Sequence, residues 1–169
     1  MYKQGDVIVY RGSGVCVVDD ICEIRFGHGR PQKNYILKPM FVAQQGLTIS
    51  VPCDNEMLVA KMQDVMTKKE AQSLLKTINE PSIEWIEERN ARKDKYGDII
   101  LNGERRDIVS VIALITQHKE SLSEDGKSLN MQDEKLLLEA ERRMRGEFAV
   151  ALGVGYEEVH DLIMSKVNA

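Results

Sequence analysis

The sequence predicts an α+β protein: a small, strongly bent β-sheet or barrel of four or five strands, then a compact all-α region of about five helices. Two observations carry this. Residues 1–66 hold six of the twelve glycines and three of the four prolines, and their apolar residues fall in short β-branched runs. Beyond residue 67 proline nearly vanishes and the apolar spacing lengthens to three and four, the period of helices. The boundary is expected near residues 60–67, with domains at 1–66 and 67–169.

The β-region reads as four runs: Val7-Ile8-Val9-Tyr10, Val15-Cys16-Val17-Val18, Tyr35-Ile36-Leu37 and Leu47-Thr48-Ile49-Ser50-Val51. Leu47, Ile49 and Val51 alternate with Thr48 and Ser50, as a half-buried strand requires. Gly12-Ser13-Gly14 lacks the Lys-Ser/Thr and the helix of a phosphate loop, so it reads as a turn between strands. Gly27-His28-Gly29-Arg30-Pro31 reads as a hairpin loop.

In the helical region, Thr67-Lys68-Lys69-Glu70 has the form of a capping box opening a helix that carries Leu74, Leu75 and Ile78. Pro81-Ser82 is expected to open a second helix running through Trp85 to about Leu101 and ending at Asn102-Gly103. A third, rich in Ile and Val, is expected over 105–119, followed by a polar loop at 120–130. Asn130 caps a long fourth helix with Leu137, Ala140, Met144, Phe148 and Leu152 on one face. Gly153-Val154-Gly155 breaks it before a last helix with Val159, Leu162, Ile163 and Val167.

Composition excludes several classes. The net charge of −4 rules out a strongly basic, histone-like binder, though not a local basic patch. No apolar stretch is long enough for a membrane span, and the N-terminus shows no secretory pattern. Three cysteines without a CxxC argue against a disulfide framework and fit a reducing cytoplasm. Cys16 and Cys22 lack a zinc spacing, and His28, His118 and His160 sit in no motif with a carboxylate or cysteine. No catalytic constellation, metal site or cofactor is expected, and the protein reads as a non-enzyme.

One feature of the helical region stands apart: Trp85, the single tryptophan. On a continuous helix Arg89, Arg92, Lys93 and Tyr96 share its face. A cationic stripe under an aromatic wedge can track phosphates while the ring contacts bases, giving affinity without sequence choice. The alternative is a tryptophan in the core above a solvated cationic face. Glu84, Glu87 and Glu88 favour it, because they repel phosphate.

Gly5-Asp6-Val7-Ile8-Val9-Tyr10, Gly12-Ser13-Gly14 with its alternating apolar run, Tyr35-Ile36-Leu37 and Thr48-Ile49-Ser50-Val51-Pro52 follow one another in the N-terminal region. In this order they resemble the CarD/CdnL family of bacterial transcription regulators. Further along, Pro81-Ser82-Ile83-Glu84-Trp85, Asn102-Gly103 and Asp133-Glu134-Lys135 follow in the family's order. The N-terminal module also occurs in the transcription-repair coupling factor, which the length and the lack of helicase motifs exclude.

The resemblance implies a Tudor- or SH3-like barrel that docks on the RNA polymerase β subunit by edge-strand pairing. The docking strand matches Leu47, Thr48, Ile49, Ser50, Val51 and Pro52, and Arg25 lies where a family basic residue supports that contact. It implies a helical domain that contacts promoter DNA, weakly and without sequence choice, through Trp85, Arg89, Arg92 and Lys93. The wedged tryptophan would slow collapse of the promoter bubble and so stabilise the open complex.

The sequence departs from the family at three places. Ser50 stands where many relatives have Arg. Ile86, Glu87 and Glu88 stand where many have Arg after the tryptophan. The stretch from Trp85 to Gly103 is about one helical turn longer than in several relatives, which places Gly97 inside a helix. The rival expectation is a protein-interaction adaptor that docks on polymerase or another partner without binding DNA. The expected state is a cytoplasmic monomer, with an edge-strand dimer as the alternative.

Overall fold

The computed structural model describes residues 1–41 and 46–168. The chain divides into two compact units, Met1–Val65 and Met66–Ala169.

The first unit is built on five strands: β1 (Val7–Tyr10), β2 (Gly14–Ile24), β3 (Gln32–Pro39), β4 (Ile49–Pro52) and β5 (Met62–Asp64). A short helix, α1 (Glu56–Val59), follows β4. All pairings are antiparallel, in the order β4-β3-β2-β1-β5. The expected sheet is present; among the described residues β4 and β5 are its two edges and it stays open, so the barrel description fits only loosely.

The expected runs all lie in strands, except that Leu47 and Thr48 precede β4. β2 extends to Ile24, well past its apolar start, and a register shift between Val18 and Asp20 bends it. Gly12 and Gly14 take positive φ, 87° and 77°, in the turn from β1 to β2, which a side chain would resist. One face of the sheet buries Ile8, Cys16, Val18, Tyr35, Leu37, Val51 and Met62. Full burial of side chains such as Leu37 and Val51 is worth roughly 1.5–3 kcal/mol each, and that sets the register.

The second unit holds α2 (Lys68–Lys76), α3 (Arg89–Asn102), α4 (Arg105–Glu124), α5 (Met131–Leu152) and α6 (Tyr156–Val167). The Thr67–Glu70 capping box forms in both directions. The Asn130 side chain accepts from Asp133 N–H at 2.9 Å to start α5. Gly153, at φ 67°, ends α5 in the left-handed conformation. The core gathers Ile99 and Ile100 of α3, Ile108, Val111, Ile112 and Ile115 of α4, Leu136, Ala140, Met144 and Phe148 of α5, and Val159 and Ile163 of α6.

Two helices differ from expectation. α4 continues to Glu124, into the expected polar loop, because its buried residues through Thr116 seat it on the core and nothing breaks the helix before Gly126. α3 begins at Arg89, not Pro81, with Glu88 as its cap. Residues 81–88, Trp85 included, form no regular element.

Candidate functional site

β4 is an outer edge, and its hydrogen-bonding pattern determines which groups it offers. Cys53 N–H donates to the Lys33 carbonyl at 2.9 Å, so residues 53, 51 and 49 turn their peptide groups toward β3. Ser50 and Pro52 turn theirs outward. The Pro52 carbonyl already accepts from Asn55 N–H at 3.1 Å, which leaves the N–H and C=O of Ser50 as the outward pair. A proline with no N–H to offer is at home on such an edge.

Side chains alternate the other way. Val51 is buried, Ile49 and Cys53 pack against the core cluster, and Ser50 lies on the opposite face. The Ser50 hydroxyl donates to Asn34 Oδ1 at 3.0 Å, and Asn34 in turn donates to the Gln32 carbonyl at 2.7 Å. Leu47, just before the strand, is 43% exposed. Arg25 follows β2 in the β2–β3 loop, where its Nε donates to the Gly29 carbonyl at 2.9 Å. Ile24 pairs with Gln32 and Pro52 with Asn34, so Arg25 sits at the Pro52 end of the sheet. Phe26 is exposed beside it.

The Trp85 site differs from the expected stripe. Because Trp85 precedes α3, helical spacing does not relate it to Arg89, Arg92 and Lys93. Arg92 is not presented to solvent: its side chain is buried. Its guanidinium grips Asp133 of α5 through Nε–Oδ1 at 2.9 Å and Nη2–Oδ2 at 2.7 Å. Its Nη1 donates to the carbonyls of Ile86 (2.8 Å) and Glu87 (3.1 Å). Arg92 still meets Trp85, but as a stacking partner, with Cζ 4.5 Å from the ring centroid.

Arg89 and Lys93 are exposed on α3, and Arg89 Nε donates to Gln132 Oε1 at 3.1 Å. Trp85 itself is half-buried. The ring of His118, on α4, lies 4.4 Å away and tilted by 30°, and the Tyr96 ring meets it edge-on at 6.3 Å. Burial pushes the Tyr96 phenol above its usual pKa, which keeps it a donor, and it donates to the Glu84 carbonyl at 2.8 Å. Glu88 is held below the usual carboxylate range by the N–H groups of Ala91 and Asn90 that it caps.

Sequence reasoning missed Asp133 and His118. Asp133 was legible only as part of the start of α5, because its partner lies 41 residues away. His118 stood in no motif. Charge also bears on the site. Residues 1–66 hold seven Lys/Arg and seven Asp/Glu, so the net charge of −4 belongs to the rest of the chain.

Burial pushes the Cys16 thiol up to about 11, which leaves it inert at neutral pH. Among the described residues no group of three or more His, Cys, Asp or Glu is placed to hold a metal ion. No helix among them is long and apolar enough to cross a membrane.

Comparison with known proteins agrees with the first unit. The family model of the CarD-like/TRCF RID domain matches residues 2–66, leaving the helical unit outside the match. No curated protein matches the chain.

Proposed function

The chain is a CarD-like family member through its RID domain, a polymerase-interacting domain, and on that premise we propose that it regulates transcription by docking on the β subunit of RNA polymerase through β4. The observation that carries this is the open edge at β4, where Ser50 directs a peptide N–H and C=O away from the sheet. A strand of the partner would pair with those groups, and main-chain bonds would supply the affinity. Leu47 and Arg25, both exposed, extend the same surface.

In this reading the helical unit contacts promoter DNA through the half-exposed Trp85, with Arg89 and Lys93 on phosphates, and the contact prolongs the open complex. The protein catalyses no reaction and needs no cofactor. Few phosphate contacts on a unit of net negative charge give weak DNA affinity, which tethering to polymerase must supplement.

Co-elution of the full chain with a polymerase β-subunit fragment tests the docking. Ser50→Pro is the informative variant, because it deletes an outward N–H and no main-chain bond of the sheet; the hydroxyl bond to Asn34 is lost with it, as it is in Ser50→Ala. Ile49→Lys would instead disturb the core packing. Loss of binding in Ser50→Pro supports the edge, and undiminished binding refutes it. For the DNA contact, Trp85→Ala should leave polymerase binding intact and shorten open-complex lifetime. An unchanged lifetime on several promoters would rule the contact out.

A second reading, an adaptor that docks on polymerase without touching DNA, draws support from Arg92. That cation is committed to Asp133 and is lost to phosphate binding. Under the adaptor reading Trp85→Ala leaves promoter complexes unaffected, and added salt does not selectively weaken this protein's effect on them.

A further inference from the structure

The segment before α3 is irregular, yet its backbone is tied at three places. Tyr96 Oη bonds the Glu84 carbonyl, and Arg92 Nη1 bonds those of Ile86 and Glu87. These contacts bracket Trp85 on both sides. All three guanidinium nitrogens of Arg92 are engaged, two of them on Asp133. Asp133 is fixed in its turn: its N–H donates to Asn130 Oδ1, and Asn130 Nδ2 donates to Asp133 Oδ2 at 2.8 Å. The start of α5 therefore anchors the guanidinium, and the guanidinium anchors the segment and stacks on the indole.

We propose that Arg92 and Asp133 are positioning residues that preset Trp85 for its contact with DNA. The inference rests on the reading of Trp85 as the DNA-contacting group. A half-exposed indole on an irregular segment would ordinarily sample many positions and lose that freedom on binding. Here the loss is taken on folding. Arginine suits the task because its planar fork grips a carboxylate with two bonds while its face stacks on an aromatic ring. A buried ion pair is a weak source of net stability, so a role in fixing one conformation is the better account of its presence. The arrangement also explains why the cation expected on phosphate is only 5% exposed.

Trp85 is the only tryptophan, so indole fluorescence reports on this segment alone. The experiment compares full-length wild type, Arg92→Lys and Tyr96→Phe, with circular dichroism to verify the fold. Lysine keeps the charge but loses the fork and the stack. Indole anisotropy should fall and acrylamide quenching should rise by about twofold. Open-complex lifetime should fall toward that of Trp85→Ala, and adding Arg92→Lys to Trp85→Ala should shorten it no further.

An indole unchanged in both variants would overturn the proposal. So would an extra loss of lifetime from Arg92→Lys in the Trp85→Ala background, because Arg92 would then act on DNA directly. Should Arg92→Lys fail to fold, Tyr96→Phe decides by the same readings, since it removes a single hydroxyl. A loosened indole with open complexes indifferent to Trp85→Ala would leave the positioning intact and refute the DNA contact.

Discussion

At β4 the groups turned outward are the peptide N–H and C=O of Ser50, while around Trp85 the backbone carbonyls of Glu84, Ile86 and Glu87 are already bonded and the group on offer is a ring. The edge depends on main chain, which every residue but proline supplies in full. The Trp85 segment depends on particular side chains, Arg92, Asp133 and Tyr96, that nothing else replaces. Substitution should therefore be tolerated at the edge and felt at the tryptophan. Ser50, where many relatives of the resembled family carry arginine, keeps the edge intact. Moving Arg92 would dismantle its site.

The largest expected effect comes from removing one half of the buried pair. Asp133→Ala strands the guanidinium of Arg92 away from water, and breaking such a pair costs about 3–5 kcal/mol. Denaturant unfolding followed by Trp85 fluorescence measures it. A loss below about 1 kcal/mol, the range of an exposed pair, would erase the contrast, because the segment would then not depend on its clamp.

Next in size is the Ser50 series, read by polymerase binding. Ser50→Pro should weaken binding about tenfold or more, which corresponds to about one main-chain hydrogen bond. Ser50→Ala loses only the hydroxyl bond to Asn34 and should change affinity by about twofold or less. Equal losses in the two variants would mean that the hydroxyl matters as much as the backbone. The edge would then be as dependent on its side chains as the tryptophan site.

What could be read in advance follows the range of the forces involved. The Thr67–Glu70 box, the Asn130 cap and the Gly153 stop are set by neighbours within four residues, and all three formed as read. The strand runs were legible because alternation marks a buried face. The open sheet was not, since closure depends on whether β4 meets β5, which no local pattern encodes. The start of α3 was misread for a similar reason. Pro81-Ser82 is a sound helix opening by local rules. Carbonyls at 84, 86 and 87 instead bond to Tyr96 and Arg92, and Asp133 anchors that arginine from another helix. Of the cations expected beside the tryptophan, Arg89 and Lys93 are exposed, whereas Arg92 is buried against Asp133, a partner 41 residues away that no local pattern names.

The smallest effect tests whether α3 itself limits the clamp. Gly97 lies inside α3, directly after Tyr96, and a Cβ built there meets nothing within 4 Å. Gly97→Ala should therefore stabilise the helix by about 0.5–1 kcal/mol, through lower chain entropy when unfolded and no steric cost when folded. The unfolding midpoint should rise accordingly. Indole anisotropy should stay at the wild-type value, because the bonds from Arg92 and Tyr96 already hold the segment. A rise in anisotropy would locate some of the residual motion of Trp85 in the helix that carries both residues. The rigid element in the comparison would then be α5, with Asp133 as its single anchor.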